Sequence, residues 1–401
     1  MFKNVFSKVD FPALEGEILS FWKKENILKK YLEKNKASKK RFSFIDGPIT
    51  ANNPMGVHHA WGRTYKDLWQ RFFNLKGYKQ RFQNGFDEQG LWVEVEVEKE
   101  LELHSKKDIE NLVTGDKFAS IAKFVNLCKD RVKKYSGIQT QQSERLGYFM
   151  DWANSYHTSS EINNYTIWHY LKVVHEKGWL YKGRDSVPWC PRCGTAISQH
   201  EILTEEYKEV VHKAIFFRLP LLKKKNEYLL VWTTTPWTIP GNVSVAINPK
   251  ETYQLIKHGN DQLWVMKARV KDLFGKVKAV KSKKGKSLVG LGYSGPFDKL
   301  PRVVEAKKEG NFHTVIEAEN LVTSAEGTGL VHIAPGAGEE DFKLSRELKL
   351  PVIELIDEDA SYLQRLGKFS LKNAKKHPEL IIEYLESLNK GKFFLKTENY
   401  K

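Results

Sequence analysis

Apolar residues recur at helical spacing near the start of the chain. Leu14, Ile18, Phe21 and Trp22 fall at i, i+4, i+7 and i+8, and Pro12 sits where a first helical turn tolerates it, so residues 11–25 predict an amphipathic helix. The polar run KKYLEKNKASKKR (29–41) predicts a helix end and a solvated linker. Phe42, Phe44 and Ile45 predict a buried strand that stops at Asp46-Gly47-Pro48. After a loop over 49–57, Trp61, Tyr65, Leu68, Trp69 and Phe72 form one helical stripe, which Gly77 can end. Tyr78 to Phe82 predict the next strand. Strand, loop, helix and strand in this order argue for a parallel sheet of doubly wound type, with ligands beyond the strand ends near 46–59 and 84–92.

Residues 116–146 and 159–177 carry helical patterns; in the second, Ile167, Trp168, Leu171 and Val174 share a face and Gly178 is the stop. From 185 to about 350 the texture turns to short strands and Gly/Pro turns, which predicts a separate β-rich, barrel-like domain. The lysine clusters 223–225 and 282–286 read as exposed hairpin tips, and 371–389 return to a helical pattern. No internal repeat is present.

A length of 401 residues fits two to three domains. No run of about 18 apolar residues exists, so no membrane span is expected. The N-terminus lacks the apolar core of a secretory signal. Three cysteines, of which only Cys190 and Cys193 are close in sequence, fit a reducing cytoplasm and a metal site rather than a disulfide framework. A formal charge of +16 with 11 Trp, 16 Tyr and 22 Phe suits a nucleic-acid binder and equally a lysine-rich solvated surface.

Four segments carry candidate chemistry. VWTTTPWTIPGN (231–242) places Thr233, Thr234, Thr235 and Thr238 together, ahead of Asn242. GTGLVHIAPGAGEEDF (327–342) sets His332 and Asp341 around a Gly/Pro-rich turn. Hydroxyls, an imidazole and a carboxylate suit holding an ester and activating a water; a Thr-rich strand and a glycine loop in a β-barrel is the plainer reading. In IDGPITANNPMGVHHAWGRTYKD (45–67), His58 and His59 precede a helix, where free N–H groups favour phosphate; a surface pair of histidines is the alternative. In NGFDEQGLWVEVEVEKEL (84–101), Asp87 closes a strand and is either a ligand group or a turn former. VPWCPRCGTAISQHE (187–201) has the Cys-x-x-Cys spacing of a zinc knuckle. Zinc needs four ligands, and this pair supplies two; Cys128 reads as core and His200 as a further candidate.

These motifs resemble those of isoleucyl-tRNA synthetases, within the isoleucyl, valyl and leucyl group of class I aminoacyl-tRNA synthetases. The WTTTPWT wording is similar to the isoleucyl form; the valyl and leucyl enzymes carry Arg-Pro after two threonines. DWANSYHT (151–158) and EKGWLYKG (176–183) resemble the same group, and the likeness runs from about residue 10 to 401. By this resemblance His58 and His59 serve the reacting phosphates, with Pro48 and Gly56 lining the nucleotide. The usual His-x-Gly-His is here Gly56-Val57-His58-His59, which keeps two imidazoles and one glycine in a changed order. Asp87 matches the carboxylate facing the amino acid's ammonium group, while Gln89 stands where a His is common and Trp92 where a Pro is common. Asp341 matches the anchor for a misacylated amino acid's ammonium, and His332 the histidine near the substrate's ribose or amino acid. The threonines and Asn242 complete that editing pocket.

The resemblance thus implies an α/β protein: the first half of a doubly wound, Rossmann-type sheet carrying an inserted barrel-like editing domain. The expected division is an N-terminal helical segment (1–40), the half catalytic domain (41–184), a zinc-knuckle segment (185–204), the editing domain (205–395) and a return toward the catalytic domain (396–401). It implies a cytoplasmic enzyme, monomeric when complete, that uses isoleucine, tRNA(Ile) and ATP with Mg2+, and whose Zn2+ site is half present in this chain. No Lys-Met-Ser-Lys-Ser loop occurs, so the chain alone is expected not to activate isoleucine. A free-standing trans-editing hydrolase, a valyl-enzyme relative and a non-enzymatic RNA-binding scaffold are the competing readings.

Overall fold

The computed structural model describes residues 8–204 and 208–401. The chain divides into two compact units, Met1–Lys182 and Gly183–Lys401.

In the first unit, Asp10 caps helix α1 (Phe11–Lys24) by accepting from the N–H of Ala13, and Pro12 lies in its first turn. Helix α2 (Ile27–Glu33) follows. Strand β1 (Arg41–Ile45) pairs in parallel with β3 (Lys79–Gln83), and β2 (Ile49–Thr50) with β4 (Gly85–Asp87), which in turn pairs in parallel with β5 (Tyr156–His157). Helix α3 (Val57–Leu75) connects the first strands to the next pair, and Gly77 ends it with φ of +82°. Helices α4 (Leu91–Glu100), α5 (Lys117–Arg145) and α6 (Glu161–Glu176) complete the unit. The strands are therefore parallel, as expected, but form two short sheets rather than one continuous one.

One expectation is corrected here. Strand β1 is not buried: Arg41, Ser43 and Ile45 are exposed, and only Phe42 and Phe44 are half-buried, against Phe73 and Phe82. The aromatic stripe of α3 faces outward, Trp61 being 63% and Leu68 62% exposed. The face the helix buries is polar, comprising Arg63, Asp67, Gln70 and Asn74. The cause is a network under the helix: the Arg63 guanidinium donates to Asp46 and to Asn84 (2.7 Å) and Ser143 (2.7 Å), while Asp67 accepts from the N–H of Phe149 (2.9 Å).

The second unit opens with a hairpin of β6 (Trp189–Cys190) and β7 (Thr195–Ala196), then α7 (Gln199–Thr204). A nine-stranded mixed sheet follows. Its members are β8 (His212–Pro220), β9 (Glu227–Thr233), β10 (Ser244–Ile247), β11 (Thr252–His258), β12 (Asp261–Met266), β13 (Ala279–Lys284), β14 (Thr314–Glu317), β15 (Leu330–Ile333) and β16 (Phe394–Tyr400). The order runs β13-β11-β12-β9-β15-β10-β14, with β8 pairing β9 and β16. Helices α8 (Lys267–Phe274), α9 (Pro301–Ala306), α10 (Glu339–Leu348) and α11 (Glu379–Ser387) are interspersed. Residues 396–401, expected to lead away, lie in or directly after β16.

Strand periodicity builds two cores here. Ile215, Phe217, Leu219, Leu229 and Val231 point to one; Phe216, Tyr228 and Leu230 point to the other, which Val270 of α8 covers. Both faces of β8 and β9 are buried along their middles, so residues 214–217 and 228–232 read as continuous apolar stretches. Lysines 223–225 do occupy the β8–β9 hairpin tip. The other cluster is only partly a turn: Lys283 and Lys284 end β13, a sheet edge, where charge discourages pairing with another strand, and Lys286 sits in the short 3-10 helix after it.

Candidate functional site

Strand β9 ends at Thr233, and the chain turns through Thr234 and Thr235 into a short 3-10 helix, Pro236–Gly241. Strand β15 runs parallel to β9 with Val331 opposite Trp232, so His332 arrives beside the threonine turn. Gly329 permits the approach: its φ is +76°, and a Cβ there would meet Met266 at 2.2 Å. The Oγ1 atoms of Thr233 and Thr235 are 3.2 Å apart, and the N–H of Thr235 donates to Thr233 Oγ1. Thr238 Oγ1 lies 2.8 Å from the Nε2 of His332 and donates to the carbonyl of Thr235. Asn242 Nδ2 lies 3.0 Å from the other ring nitrogen. His332, Thr238, Asn242 and Thr233 are all buried, whereas Thr234 is half-buried and Thr235 exposed. Burial lowers the His332 pKa to about 4, which keeps the ring neutral near pH 7.

Asp341 lies in the first turn of α10, behind Gly338. Its Oδ2 accepts from the N–H of Ala334 at 2.8 Å, two residues beyond His332. Burial raises this carboxyl to about 6, although the Ala334 N–H pulls the other way. The structure therefore links five of the expected residues, Thr233, Thr235, Thr238, Asn242 and His332, by hydrogen bonds, and ties Asp341 to the same strand end.

The first unit holds the second constellation. Ile49 and Thr50 pair with Phe86 and Asp87, which sets Thr50 Oγ1 3.3 Å from Asp87 Oδ2. Gly56 is the N-cap of α3, so His58 and His59 occupy its first turn with ring centroids 3.8 Å apart. His59 Nδ1 accepts from the N–H of Gly56 at 3.1 Å, and burial, then His58 and Arg63, lower its pKa. The ring of His58 lies against Gly56: a Cβ there would meet its Cε1 at 2.9 Å. The exchanged order in sequence thus brings an imidazole into the space that a side chain at 56 would enter. Pro48 and Gln89 are exposed, and Gln89 approaches Asn164 at 3.4 Å. The intervening loop is braced by α5. Gln139 Nε2 donates to the carbonyls of Thr50 and Asn53 at 2.9 and 2.8 Å, and Gln142 accepts from the N–H of Met55.

The cysteine turn has knuckle geometry. The N–H of Cys193 donates to Cys190 Sγ at 3.4 Å, and Gly194 at φ +62° closes the turn. Burial pushes the Cys190 thiol up, but the N–H groups of Cys193 and Arg192 lower it further, and the net shift is downward. Among the described residues no group of three or more His, Cys, Asp or Glu side chains could hold a metal ion, so two thiolates fall short of zinc's four ligands. The His200 side chain lies outside the described residues. Cys128 is half-buried on α5 with its thiol pushed up by burial to about 11, an inert packing group.

Residue patterns missed the supporting groups. Arg63, Gln139 and Gln142 sat within helical runs as unremarked polar positions, and Tyr293, buried beside Asn242, sat in a glycine-flanked turn (290–295) that carried no ligand signal.

Residues 17–362 match the family model described as tRNA synthetases class I (I, L, M and V). The isoleucine–tRNA ligase of Sulfolobus acidocaldarius is 37% identical over 95% of this chain and 36% of its own length. That of Clostridium acetobutylicum is 36% identical over 96% of this chain and 36% of its own, and that of Pyrococcus furiosus 38% identical over 93% and 35%. The chain thus spans about a third of the length of the curated relatives it matches. A coverage this complete on the side of this chain, together with the family match over most of it, makes the chain a member of the class I tRNA synthetases of the I, L, M and V group.

Proposed function

We propose that this chain is the N-terminal portion of an isoleucine–tRNA ligase and that its second unit is an editing hydrolase for valyl-tRNA(Ile). In the complete enzyme, isoleucine and ATP, accompanied by Mg2+, form isoleucyl-adenylate with release of pyrophosphate, and the isoleucyl group passes to tRNA(Ile) with release of AMP. The first unit supplies half of a doubly wound nucleotide fold. His58 and His59, at the N-terminal end of α3, face the phosphates, and Asp87 faces the amino acid's ammonium group. Pro48, Gly56 and Gln89 lie around the same loop. The two-cysteine knuckle enters no step.

The need for editing is energetic. Valine lacks one methylene of isoleucine, which an apolar pocket distinguishes by only about 1–3 kcal/mol. A second pocket that excludes the larger side chain supplies the rest. The observation that carries this reading is the chain of hydroxyls and imidazole that runs from exposed Thr235 through buried Thr238 to buried His332, with a carboxyl anchored on the same strand end. Asp341 holds the ammonium group of the mischarged amino acid, and the threonine hydroxyls hold its ester. A free-standing hydrolase is the weaker reading, because it has no use for the phosphate loop at 46–59.

The test is hydrolysis of valyl-tRNA(Ile) and isoleucyl-tRNA(Ile) by the purified chain. Preferential release of valine, lost in Asp341→Ala, is expected. Equal rates for both substrates, or none above the uncatalysed rate, overturn the editing assignment.

A further inference from the structure

Behind the threonine and histidine cluster lie buried groups that the proposed chemistry leaves unused. Tyr293 is 2% exposed, and its hydroxyl donates to Asn242 Oδ1 at 2.7 Å. The His313 ring stacks on Tyr293 with centroids 4.6 Å apart, and its Nε2 donates to the backbone carbonyl of Asn242 at 3.2 Å. Asn242 is thus gripped at its side chain and at its main chain.

The direction of every hydrogen bond in this chain follows from one fixed point. The carbonyl of Ser244 only accepts, so the Asn242 atom 2.9 Å from it is the Nδ2 amide. Oδ1 then faces Tyr293. The second Nδ2 hydrogen lies nearest His332 Nδ1, 3.0 Å away, with the Ile333 carbonyl a longer 3.5 Å off; facing an amide NH2, Nδ1 must offer a lone pair. A neutral imidazole with a bare Nδ1 carries its proton on Nε2, and that proton goes to Thr238 Oγ1 at 2.8 Å. Thr238 in turn commits its own hydrogen to the Thr235 carbonyl at 2.8 Å. No lone pair of His332 remains for a water.

We propose that Tyr293 is a positioning residue: acting through Asn242, it fixes His332 as the Nε2–H tautomer, a donor that orients Thr238 rather than a base that takes a proton from water. The consequence for rate rests on the deacylation reading; the tautomer does not.

The test uses the whole chain labelled with 15N-histidine and long-range proton–nitrogen correlation spectra, the His332 signals being identified by their loss in His332→Gln. The parent should show a protonated Nε2 and a bare Nδ1. Tyr293→Phe keeps the ring against His313 and removes only the hydroxyl. It should blend the two tautomers and lower kcat for valyl-tRNA(Ile) hydrolysis about tenfold with KM little changed, the scale of one lost hydrogen bond. Asn242→Asp, which faces His332 with an acceptor, should move the proton to Nδ1. A parent carrying Nδ1–H overturns the proposal, as does an Asn242→Asp spectrum identical to the parent's or a Tyr293→Phe protein unchanged in spectrum and kcat. A parent with the Nε2–H pattern but no deacylation sinks the editing assignment and upholds the tautomer lock.

Discussion

Asp341 and His332 titrate in different ranges, and that difference separates their roles. Burial raises Asp341 from 3.8 to about 6 and lowers His332 to about 4. If the ionised carboxyl holds the substrate's ammonium, kcat/KM for valyl-tRNA(Ile) rises with pH along a limb centred near 6, and Asp341→Asn removes the limb. A limb centred near 4 would point to the histidine instead. The same shift has a stability sign. A raised folded pKa favours the protonated form, so stability is greatest below 3.8 and is lost as pH rises through about 6; Asp341→Asn should gain on the parent across that window in urea melts. The threonines differ among themselves. Thr238 is buried and accepts from His332, while Thr235 is exposed. Thr238→Val leaves an imidazole N–H buried without an acceptor and should cost about 1–3 kcal/mol by chemical denaturation, against less than about 0.5 kcal/mol for Thr235→Val. The run of hydroxyls was legible in the sequence, because three adjacent threonines stand before Pro236 with a fourth at 238. Which of them is buried was not, because that depends on a turn whose direction is set by β15, almost a hundred positions away.

At the level of elements, α3 shows what periodicity leaves open. Its aromatic stripe marks a helix correctly, since the spacing alone fixes the repeat, but the spacing does not say which face meets the protein. Arg63 and Asp46 decide it: they are 1% exposed each, and their pairing draws the polar face inward. Arg63→Met would leave Asp46, among the described residues, with Lys66 as its remaining cation and would deprive Asn84 Oδ1 of its donor, while Ser143 keeps its bond to the Gln139 carbonyl. We expect a loss of about 3–5 kcal/mol in urea unfolding, the cost of breaking one side of a buried ion pair, although the new side chain is apolar and of similar length. A surface-like change below about 1 kcal/mol would show that the network is not what seats the helix. The loop before α3 was legible as ending at a helix start, although His58 and His59 lie inside the helix's first turn rather than ahead of it. Its bracing by Gln139 was not, since nothing at residue 139 marks a side chain that reaches back to Thr50 and Asn53.

For the whole molecule, the β-rich unit contains every strand of its own sheet. Strand β16 returns to pair with β8, so the chain closes on residues between 183 and 401. Arg218 ties the closure: it donates to the carbonyls of Gly391 and Phe394 at 2.7 and 2.8 Å and pairs with Asp261 at 2.9 Å. Both cores of the unit draw solely on residues beyond 214, and Thr233, Thr238, Asn242, Tyr293, His332 and Asp341 lie within the same span. A polypeptide of residues 183–401 should therefore unfold in one cooperative transition, seen alike by far-ultraviolet circular dichroism and by tryptophan fluorescence. It should also hydrolyse valyl-tRNA(Ile) in the absence of residues 1–182. Because association of a basic protein with RNA releases counterions, that activity at low substrate should fall steeply between about 50 and 200 mM salt, while the melting transition moves little. A broad, non-cooperative melt of the fragment would mean that the β-rich unit depends on the first 182 residues for its core. A cooperative melt without hydrolysis would place the missing contribution in substrate binding, which the salt dependence of the intact chain would then localise to its charged surface rather than to the Thr238–His332 centre.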